Sequence, residues 1–343
     1  MRLALCGLAG AGKTTLMRAL AGRKVVAGRG REAADQALLN VPEPRLDRLY
    51  RLYQPQRKVY AQITVIDPPP PAAKPDDPAT KLPPQLHQAE GLIEVVRNFD
   101  AGLGPPRPAA DHQSFHQELL LSDLITVERR LERIAAERQR GRDIDQEEVS
   151  LLEKCRAHLE DEQPLRLLAE VAGHAKLRGF GLLTAKPVVV VVNNAEDDPA
   201  LPELDLAPGV SQVLVVRAGI EAELAELEPE ARAEFMADLG LETSALDRLI
   251  AAAYRALEVV TFFTVGQDEV RAWTVRAGTP APQAAGVIHS DMERGFIRAE
   301  VMPVDKLLEL GSEAAVKKAG LLKLVGRDYL VQDGDVFHVR FSV

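Results

Sequence analysis

Short apolar runs separated by helical stretches occupy most of residues 1–260. Runs of this length, bounded by turn residues, are typical of strands buried on both faces of a parallel sheet. The stretches between them have the spacing of the helices that connect parallel strands. We therefore predict an α/β fold with a doubly wound, mostly parallel sheet. The predicted strands are Leu3–Cys6, an alternating run from Val59 to Ile66, Leu92–Val96, Val188–Val192 and Val213–Val216.

A long helical segment interrupts the sheet pattern at residues 113–180. Its apolar residues recur at alternating steps of four and three, which is the spacing of a two-stranded coiled-coil seam. They are Leu120, Leu124, Val127, Leu131 and Ile134 before a turn at Gly141, and Leu152, Cys155 and Leu159 after it. The repeat predicts an antiparallel helical hairpin inserted into the sheet domain.

The tip of the predicted hairpin carries charged residues of both signs. They are Arg129, Arg130, Arg133, Arg138, Arg140 and Arg142, with Glu128, Glu132 and Glu137. One interpretation is a local basic patch for RNA phosphates. The other is a solvated helix face held by ion pairs between neighbouring turns. The sequence leaves both interpretations open.

The C-terminal residues 263–343 alternate short strands with glycine turns and contain one predicted helix near Val304 to Gly311. His289 and Trp273 have no His, Cys or carboxylate neighbour at metal-ligand spacing, so we interpret them as packing or rim residues. The predicted division is a sheet domain at residues 1–112 and 181–262, a hairpin at 113–180 and a C-terminal domain at 263–343.

Residues 7–14 read Gly-Leu-Ala-Gly-Ala-Gly-Lys-Thr and match G-x-x-x-x-G-K-[ST] at each fixed position. A buried strand precedes them and a helix follows, which favours a phosphate-binding loop over a glycine-rich turn with an incidental lysine. Backbone N–H groups would surround the phosphates, Lys13 would contact the β- and γ-phosphates, and Thr14 would bind Mg²⁺. The predicted binding residues are Gly7, Gly10, Ala11, Gly12, Lys13, Thr14 and Thr15.

Polar residues end two further predicted strands, where ligands bind in sheets of this kind. Asp67 follows Ile66, so we predict it as a Mg²⁺-linked carboxylate beside Thr14, with a turn or cap carboxylate as the alternative. Asn193 and Glu196 follow the run at residues 188–192. We expect the Asn193 side chain to brace the phosphate loop and Glu196 to face the edge of a purine base.

Composition restricts the class of protein. The 343 residues carry a formal net charge of -9, which argues against a global positive field for nucleic acid. Cys6 and Cys155 lack the spacing of a disulfide framework or a metal site, as expected in a reducing compartment. No apolar stretch approaches the ~18 residues that a membrane helix needs. We expect a cytoplasmic protein without membrane association.

Three stretches resemble the YchF/Obg-like ATPase family, a branch of the P-loop GTPase class, over most of the chain. They are the loop at 7–14, the segment from Leu182 through Asn193-x-x-Glu196 to 220–227, and the C-terminal segments 269–274, 281–289, 295–301 and 331–336.

The resemblance implies a C-terminal TGS domain of the β-grasp type, contact with the ribosome or RNA through that domain and the hairpin, and slow ATP hydrolysis. It implies ATP in preference to GTP, because Asn-x-x-Glu replaces the guanine-reading Asn-Lys-x-Asp. It also implies that Ala218 lies beside the base. There the family has Ser-Ala-Lys, whereas this chain has Arg217-Ala218-Gly219, which reopens the choice between adenine and guanine.

The chain departs from this family where the γ-phosphate is sensed. Family members carry Asp-x-x-Gly after the second strand, whereas Asp67 is followed by four prolines at 68–71, and proline has no N–H to donate. No Ser or Thr occurs between Thr15 and Thr64, so the Mg²⁺-binding hydroxyl of a first switch is missing. The nearest oxygen ligands that would substitute are Asp35 and Glu32.

We therefore expect a monomeric purine-nucleotide-binding protein associated with the ribosome, with Mg²⁺ and ATP/ADP or GTP/GDP as cofactors. We expect hydrolysis to be weak or lost because both switch motifs are altered. One alternative is a ribosome or RNA interaction protein in which the phosphate loop is only structural. Another is a working ATPase whose second motif is supplied by a partner.

Overall fold

A computed structural model describes residues 1–21, 34–70, 82–228, 231, 234–236 and 244–342. The chain forms two compact units, the first from Met1–Leu39 and Ile63–Ala256 and the second from Asn40–Gln62 and Leu257–Val343. Residues 40–62, which the sequence division assigns to the sheet domain, therefore group with the C-terminal residues. The division into three domains stays a proposal.

The secondary structure of the described residues is as follows. The strands are β1 (Arg2–Cys6), β2 (Asp35–Asn40), β3 (Arg57–Val59), β4 (Gln62–Asp67), β5 (Gly91–Asn98), β6 (Val188–Asn194), β7 (Gln212–Val216), β8 (Val259–Thr264), β9 (Glu269–Arg276), β10 (Phe296–Pro303), β11 (Lys323–Val325) and β12 (Asp335–Phe341). The α-helices are α1 (Lys13–Ala21), α2 (Pro44–Tyr53), α3 (Pro84–Gln88), α4 (Pro108–Gln139), α5 (Gln146–Glu160), α6 (Ala218–Glu226), α7 (Ala245–Ala256), α8 (Ala281–Ile288), α9 (Ser290–Arg294), α10 (Val304–Leu310) and α11 (Glu313–Lys318).

The first unit is built on a six-stranded sheet in the order β2-β4-β1-β5-β6-β7. β1 pairs in parallel with β4 and β5, and β6 pairs in parallel with β5 and β7. Every residue of β6 is buried, as expected for a central strand covered on both faces. The parallel order brings the carboxyl ends of β1, β4 and β6 to one edge of the sheet, where the predicted site residues lie.

One predicted strand is wrong in extent. The alternating run from Val59 to Ile66 is two strands, because β3 pairs with β9 of the second unit while β4 pairs with β1 of the first. Alternation continues through the break at residues 60 and 61, so the local pattern carries no sign that the two halves belong to different sheets.

The hairpin consists of α4 and α5, joined by a turn in which Gly141 has a φ of 76°. α4 begins at Pro108, earlier than the predicted start at residue 113. The predicted seam residues pack into one apolar cluster, with Leu120, Val127, Ile134, Leu152, Cys155 and Leu159 buried and Leu124 and Leu131 against them.

The base of the hairpin is joined to the sheet through a buried carboxylate. Asp123 of α4 accepts hydrogen bonds from the backbone N–H groups of Leu183 and Thr184, each at 2.7 Å, and from the Thr184 hydroxyl at 2.6 Å. Burial raises the pKa of Asp123 to about 6, and these hydrogen bonds oppose the rise. The carboxylate fixes the segment that leads into β6.

The second unit contains a six-stranded sheet in the order β11-β10-β12-β8-β9-β3. β10 is antiparallel to β11 and β12, and β8 is antiparallel to β9, whereas β12 pairs with β8 in parallel. Apolar side chains of β8, β9, β10 and β12 pack with α8 in one cluster. The prediction of a single helix in residues 263–343 is wrong, because α8, α9, α10 and α11 all lie in this range.

The two aromatic residues interpreted as packing or rim residues have structural contacts. Trp273 packs against the α8 cluster, and its indole N–H donates to the Thr264 hydroxyl at 2.9 Å. His289 precedes α9, and its Nδ1 accepts from the backbone N–H of Asp291 at 3.2 Å. Across the described part of the chain, every helix is too short or too polar to span a membrane.

Candidate phosphate-binding site

The loop at residues 7–14 joins the end of β1 to the start of α1 at Lys13. Gly7, Gly10 and Gly12 have φ angles of 120°, 77° and 88°, which side chains disfavour. A Cβ at Gly7 would lie 2.3 Å from the carbonyl oxygen of Val95, so the loop passes directly against β5. The backbone is therefore held in a conformation that only glycine permits at these positions.

Lys13 folds back over its own loop. Its Nζ donates to the carbonyl oxygens of Gly7 at 2.9 Å and Leu8 at 2.8 Å. Burial lowers the pKa of the Lys13 ammonium, while the negative charge of Asp67 opposes that shift. A phosphate group at the loop would add negative charge next to this half-buried ammonium.

Thr14 and Asp67 form an oxygen pair at the end of β4. The Thr14 hydroxyl donates to Oδ2 of Asp67 at 2.8 Å. Neighbouring ligands of an octahedral Mg²⁺ with bonds near 2.1 Å lie about 2.9 Å apart, so the two oxygens already have the separation that the ion requires. The residue types and their spacing therefore fit Mg²⁺.

The protonation of Asp67 depends on its neighbours. Burial raises the pKa of Asp67, whereas the Thr14 hydrogen bond and the Lys13 charge lower it, and the negative charge of Asp35 raises it further. Asp35, one of the two substitute ligands considered from the sequence, thus acts electrostatically on Asp67 from the start of β2. Glu32, the other, lies outside the described residues.

Asn193 braces the loop as expected. Its Nδ2 donates to the carbonyl oxygen of Ala11 at 3.1 Å, and its Oδ1 accepts from the backbone N–H of Ala218 at 3.0 Å. A Cβ at Gly12 would lie 2.3 Å from the same Nδ2. One buried side chain at the end of β6 therefore connects the phosphate loop to the N-terminus of α6.

Glu196 lies exposed beside the same helix terminus. Its Oε1 would be 2.7 Å from a Cβ at Gly219, so the glycine leaves room for the carboxylate. Arg217 donates to the Glu196 carbonyl oxygen at 3.2 Å. The structure thus brings Asn193, Glu196 and Ala218 together, while Thr15 is exposed on the first turn of α1.

Sequence reasoning did not identify the segment after β5 as part of the site. A Cβ at Gly10 would lie 2.5 Å from Cδ1 of Leu103, and one at Gly12 would lie 3.7 Å from the ring of Phe99. Arg97, which is buried, holds this segment by donating to the carbonyl oxygens of Phe99 at 3.4 Å and Gly104 at 3.0 Å. The run of Gly and Pro at residues 102–106 indicates a loop there but not its position.

A network of amide side chains supports the segment after β6. Asn98 donates from Nδ2 to Oδ1 of Asn194 at 3.0 Å, and Asn194 donates to the carbonyl oxygens of Asp198 at 2.9 Å and Ala200 at 2.6 Å. This network holds the turn that carries Glu196. Sequence reasoning also missed it, because Asn98 ends β5 and Asn194 ends β6, each two residues beyond the end of the predicted strand.

The altered switch positions lie partly within the described residues. Pro68 is buried and Pro70 is exposed directly after β4, so the backbone next to Asp67 has no N–H at 68, 69 or 70. Pro71 and residues 22–33 of the first switch lie outside the described residues. Among the described residues, there is no cluster of three or more His, Cys, Asp or Glu side chains that could hold a metal ion.

Known proteins resemble this chain along its whole length. The ribosome-binding ATPase YchF of Bacillus subtilis is 36% identical over 99% of this chain and 98% of its own. The chain belongs to the YchF family. The ribosome-binding ATPase YchF of Haemophilus ducreyi is 37% identical over the same shares. A family model described as YchF-GTPase_C, protein of unknown function (DUF933), matches residues 259–342.

A solved structure of the YchF GTPase of Schizosaccharomyces pombe covers 99% of this chain and 97% of its own, with a TM-score of 0.81 at 28% identity. The resemblance inferred from the motifs is therefore confirmed, as is the mixed α/β fold of the P-loop NTPase type.

Gly7→Ala should destabilise the fold more than Gly102→Ala. Both glycines have positive φ, but a Cβ at Gly102 meets nothing within 4 Å, whereas one at Gly7 meets the Val95 carbonyl at 2.3 Å. We expect the difference in free energy of unfolding to be about 2 kcal/mol, because overpacking is added to backbone strain. Urea unfolding of both variants measures it, and equal losses would contradict the close approach to β5.

Proposed function

We propose that the chain binds a purine nucleotide together with Mg²⁺ through residues 7–14 and Asp67, without a strong response to the γ-phosphate. The observation that supports this is the contrast between two halves of one site. Lys13, Thr14 and Asp67 are arranged for phosphate and Mg²⁺, whereas three prolines follow Asp67 in the described backbone. The groups that would hold phosphate and Mg²⁺ are therefore present, whereas the backbone that would contact the γ-phosphate is altered.

The chain's own groups account for nucleotide binding. The backbone N–H groups of the glycine loop would surround a phosphate at the N-terminus of α1, where the helix dipole favours an anion. Lys13 would exchange its bonds to the Gly7 and Leu8 carbonyls for phosphate oxygens. Thr14 and Asp67 would hold Mg²⁺, which supplies positive charge against the phosphates when it is bound.

The base would lie near the N-terminus of α6. Asn193 ties that terminus to the loop, and Glu196 provides a carboxylate against Gly219 at the edge of the same region. A carboxylate accepts hydrogen bonds from an exocyclic amine, which adenine carries on N6 and guanine carries on N2. We therefore propose a purine and let titration decide between adenine and guanine.

Loss of switching follows from the same geometry. A ligand shifts a conformational equilibrium only by its differential affinity for the two states. The backbone at residues 68–70 cannot donate a hydrogen bond to a γ-phosphate, and the sequence has no Ser or Thr between Thr15 and Thr64 for a first switch. Diphosphate and triphosphate should therefore bind with similar affinity.

Calorimetric titration with ADP, ATP, GDP and GTP in the presence of Mg²⁺ tests this proposal. We expect the triphosphate and diphosphate of the preferred base to differ by less than about tenfold in Kd, or roughly 1.4 kcal/mol. Lys13→Ala is the control and should abolish binding of both. A stronger preference for a non-hydrolysable triphosphate would contradict the loss of γ-phosphate sensing.

Hydrolysis should be very slow or absent, because neither switch supplies a group that orients the attacking water. Phosphate release by the purified protein should equal that of Lys13→Ala under the same conditions. Turnover that disappears in Lys13→Ala would refute this proposal. Turnover that appears only when ribosomes are added would instead support the alternative in which a partner completes the site.

We also propose that the chain works on the ribosome in the cytoplasm, as a monomer, through its hairpin and its C-terminal domain. The relatives named ribosome-binding ATPase support this association. In the hairpin, Arg130 is engaged by Glu148 of α5 at 2.7 Å and by Glu137 at 3.7 Å. The first pair joins the two helices and the second spans two turns, so neither is the pairing between neighbouring turns that the ion-pair interpretation describes. Arg138, Arg140 and Arg142 are exposed at the turn, and the Arg140 side chain has no polar partner among the described residues.

Reversal of Arg138, Arg140 and Arg142 to Glu should strongly reduce co-sedimentation with ribosomes, because the tip would repel RNA phosphates. A triple Gln variant should give an intermediate loss. Unchanged pelleting of the Glu variant would contradict a role for the tip.

Lys13→Ala distinguishes this proposal from the alternative of an interaction protein with a structural loop. It should impair ribosome binding only if the nucleotide contributes. Normal ribosome binding by a Lys13→Ala protein that has lost nucleotide would favour the alternative.

A further inference from the structure

The segment at residues 40–62 differs in composition from the rest of the chain. The chain carries a formal net charge of -9, but this segment has five basic and two acidic residues. It also holds three of the chain's five tyrosines, at positions 50, 53 and 60. Basic residues interleaved with aromatic ones are the composition of surfaces that bind single-stranded nucleic acid.

The fold brings these residues to one surface of the second unit. α2 buries Leu46 and Leu49, so its outer face presents Arg48, Tyr50 and Arg51. β3 is the edge strand of the sheet and adds Lys58 on the same side. We call the set Arg48, Tyr50, Arg51, Lys58 and Tyr60 the α2 surface.

Lys58 lies between the exposed ring of Tyr50 and the half-buried ring of Tyr60. Its Nζ lies 5.3 Å from the ring centroid of Tyr50 and 5.0 Å from that of Tyr60, within cation–π range. It also contacts Asp47 at 2.6 Å, and Asp47 accepts from the Tyr60 hydroxyl. The aromatic rings and the ammonium are therefore held in one arrangement instead of moving independently.

The two arginines of the surface point to solvent, although Arg51 interacts electrostatically with Asp47. Arg48 and Arg51 are exposed on successive turns of α2, and neither forms a hydrogen bond or ion pair with a described residue. Arg57 extends the charge along the edge strand, although it contacts Glu269 at 3.6 Å. Basic residues on an edge strand also protect it from pairing with other chains, but that need accounts for β3 only and not for α2.

On the far face of the same edge, a second cation lies over an aromatic ring. The Arg271 guanidinium is 4.0 Å from the ring centroid of Trp273. Arg271 of β9 is in register with Val59 of β3, so both sides of this edge carry a cation packed on an aromatic ring. Both faces of this edge therefore offer an aromatic ring with a cation on it, although Asp47 pairs with Lys58 and Glu269 pairs with Arg57 and Arg271.

We propose that the α2 surface binds single-stranded RNA, with Arg48 and Arg51 on phosphates and Tyr50 beside a base. RNA fits better than an acidic peptide because a peptide would use the cations but leave the tyrosines without a role. The proposal rests on ribosome association for its biological setting. It assigns the contact to residues that neither the hairpin tip nor the phosphate loop includes.

Fluorescence anisotropy with a fluorescein-labelled, 20-nucleotide, single-stranded RNA of mixed sequence tests the proposal on the full-length protein. Arg48→Gln/Arg51→Gln should raise Kd at least about tenfold at low salt and reduce the slope of log K against log salt by about 1.4. Tyr50→Ala should raise Kd about fivefold or more without changing the slope. The matched control is Lys317→Gln/Lys318→Gln on α11, which removes the same charge elsewhere in the second unit and should leave both values unchanged.

Three results would overturn the proposal that the α2 surface binds RNA. Equal effects of the α2 and control variants, or no RNA binding by the wild type, would overturn the proposal. Loss of binding to a labelled 20-residue polyglutamate peptide, with RNA binding unchanged, would indicate an acidic protein partner and overturn it as well. Because all substituted residues are exposed, the melting temperatures of the α2 variants should equal that of the control variant.

Ribosome co-sedimentation separates this inference from the proposed function. If the wild type pellets with ribosomes and the α2 variants bind RNA normally, the inference fails and the proposed function stands. If the wild type does not pellet with ribosomes but the α2 variants lose RNA affinity, the inference stands and the proposed ribosome association fails.

Discussion

The buried amide of Asn193 is the interaction on which the candidate site depends. It satisfies a carbonyl in the phosphate loop and an N–H at the start of α6 with one side chain. Neither backbone group has to be left unpaired in a dry region, which would cost about 1–3 kcal/mol each. The absence of a side chain at Gly12 is part of the same arrangement, because a Cβ would occupy the position of the amide.

The region around this amide contains the groups for phosphate binding and the backbone position for γ-phosphate contact, and the two depend on different features of the chain. The phosphate anchor depends on backbone conformation and on Lys13, Thr14 and Asp67, all of which are retained. The γ-phosphate response depends on donors that move, and prolines occupy that position after β4. In the function that we propose, phosphate binding works without a γ-phosphate response, because the side chains of Lys13, Thr14 and Asp67 are separate from the backbone at residues 68–70.

Local rules explain why some parts were predictable. Glycines at fixed spacing between a strand and a helix specify the phosphate loop, and a polar residue ending a buried strand specifies Asn193 and Asp67. By contrast, the division of the run at 59–66 between two sheets depends on the pairing of β3 with distant β9. The position of Leu103 over Gly10 depends on where the buried Arg97 directs its guanidinium, which composition does not reveal.

The assignment of residues 40–62 to the second unit means that this unit is discontinuous in the chain. A truncation after Ala256 would remove the strand that pairs with β3 and leave Leu46 and Leu49 of α2 without the sheet that buries them. Loss of function in such a deletion would combine a missing domain with an exposed, partnerless helix. A separable C-terminal module would have to be expressed with residues 40–62 joined to it, and the family match at 259–342 marks only the larger of its two pieces.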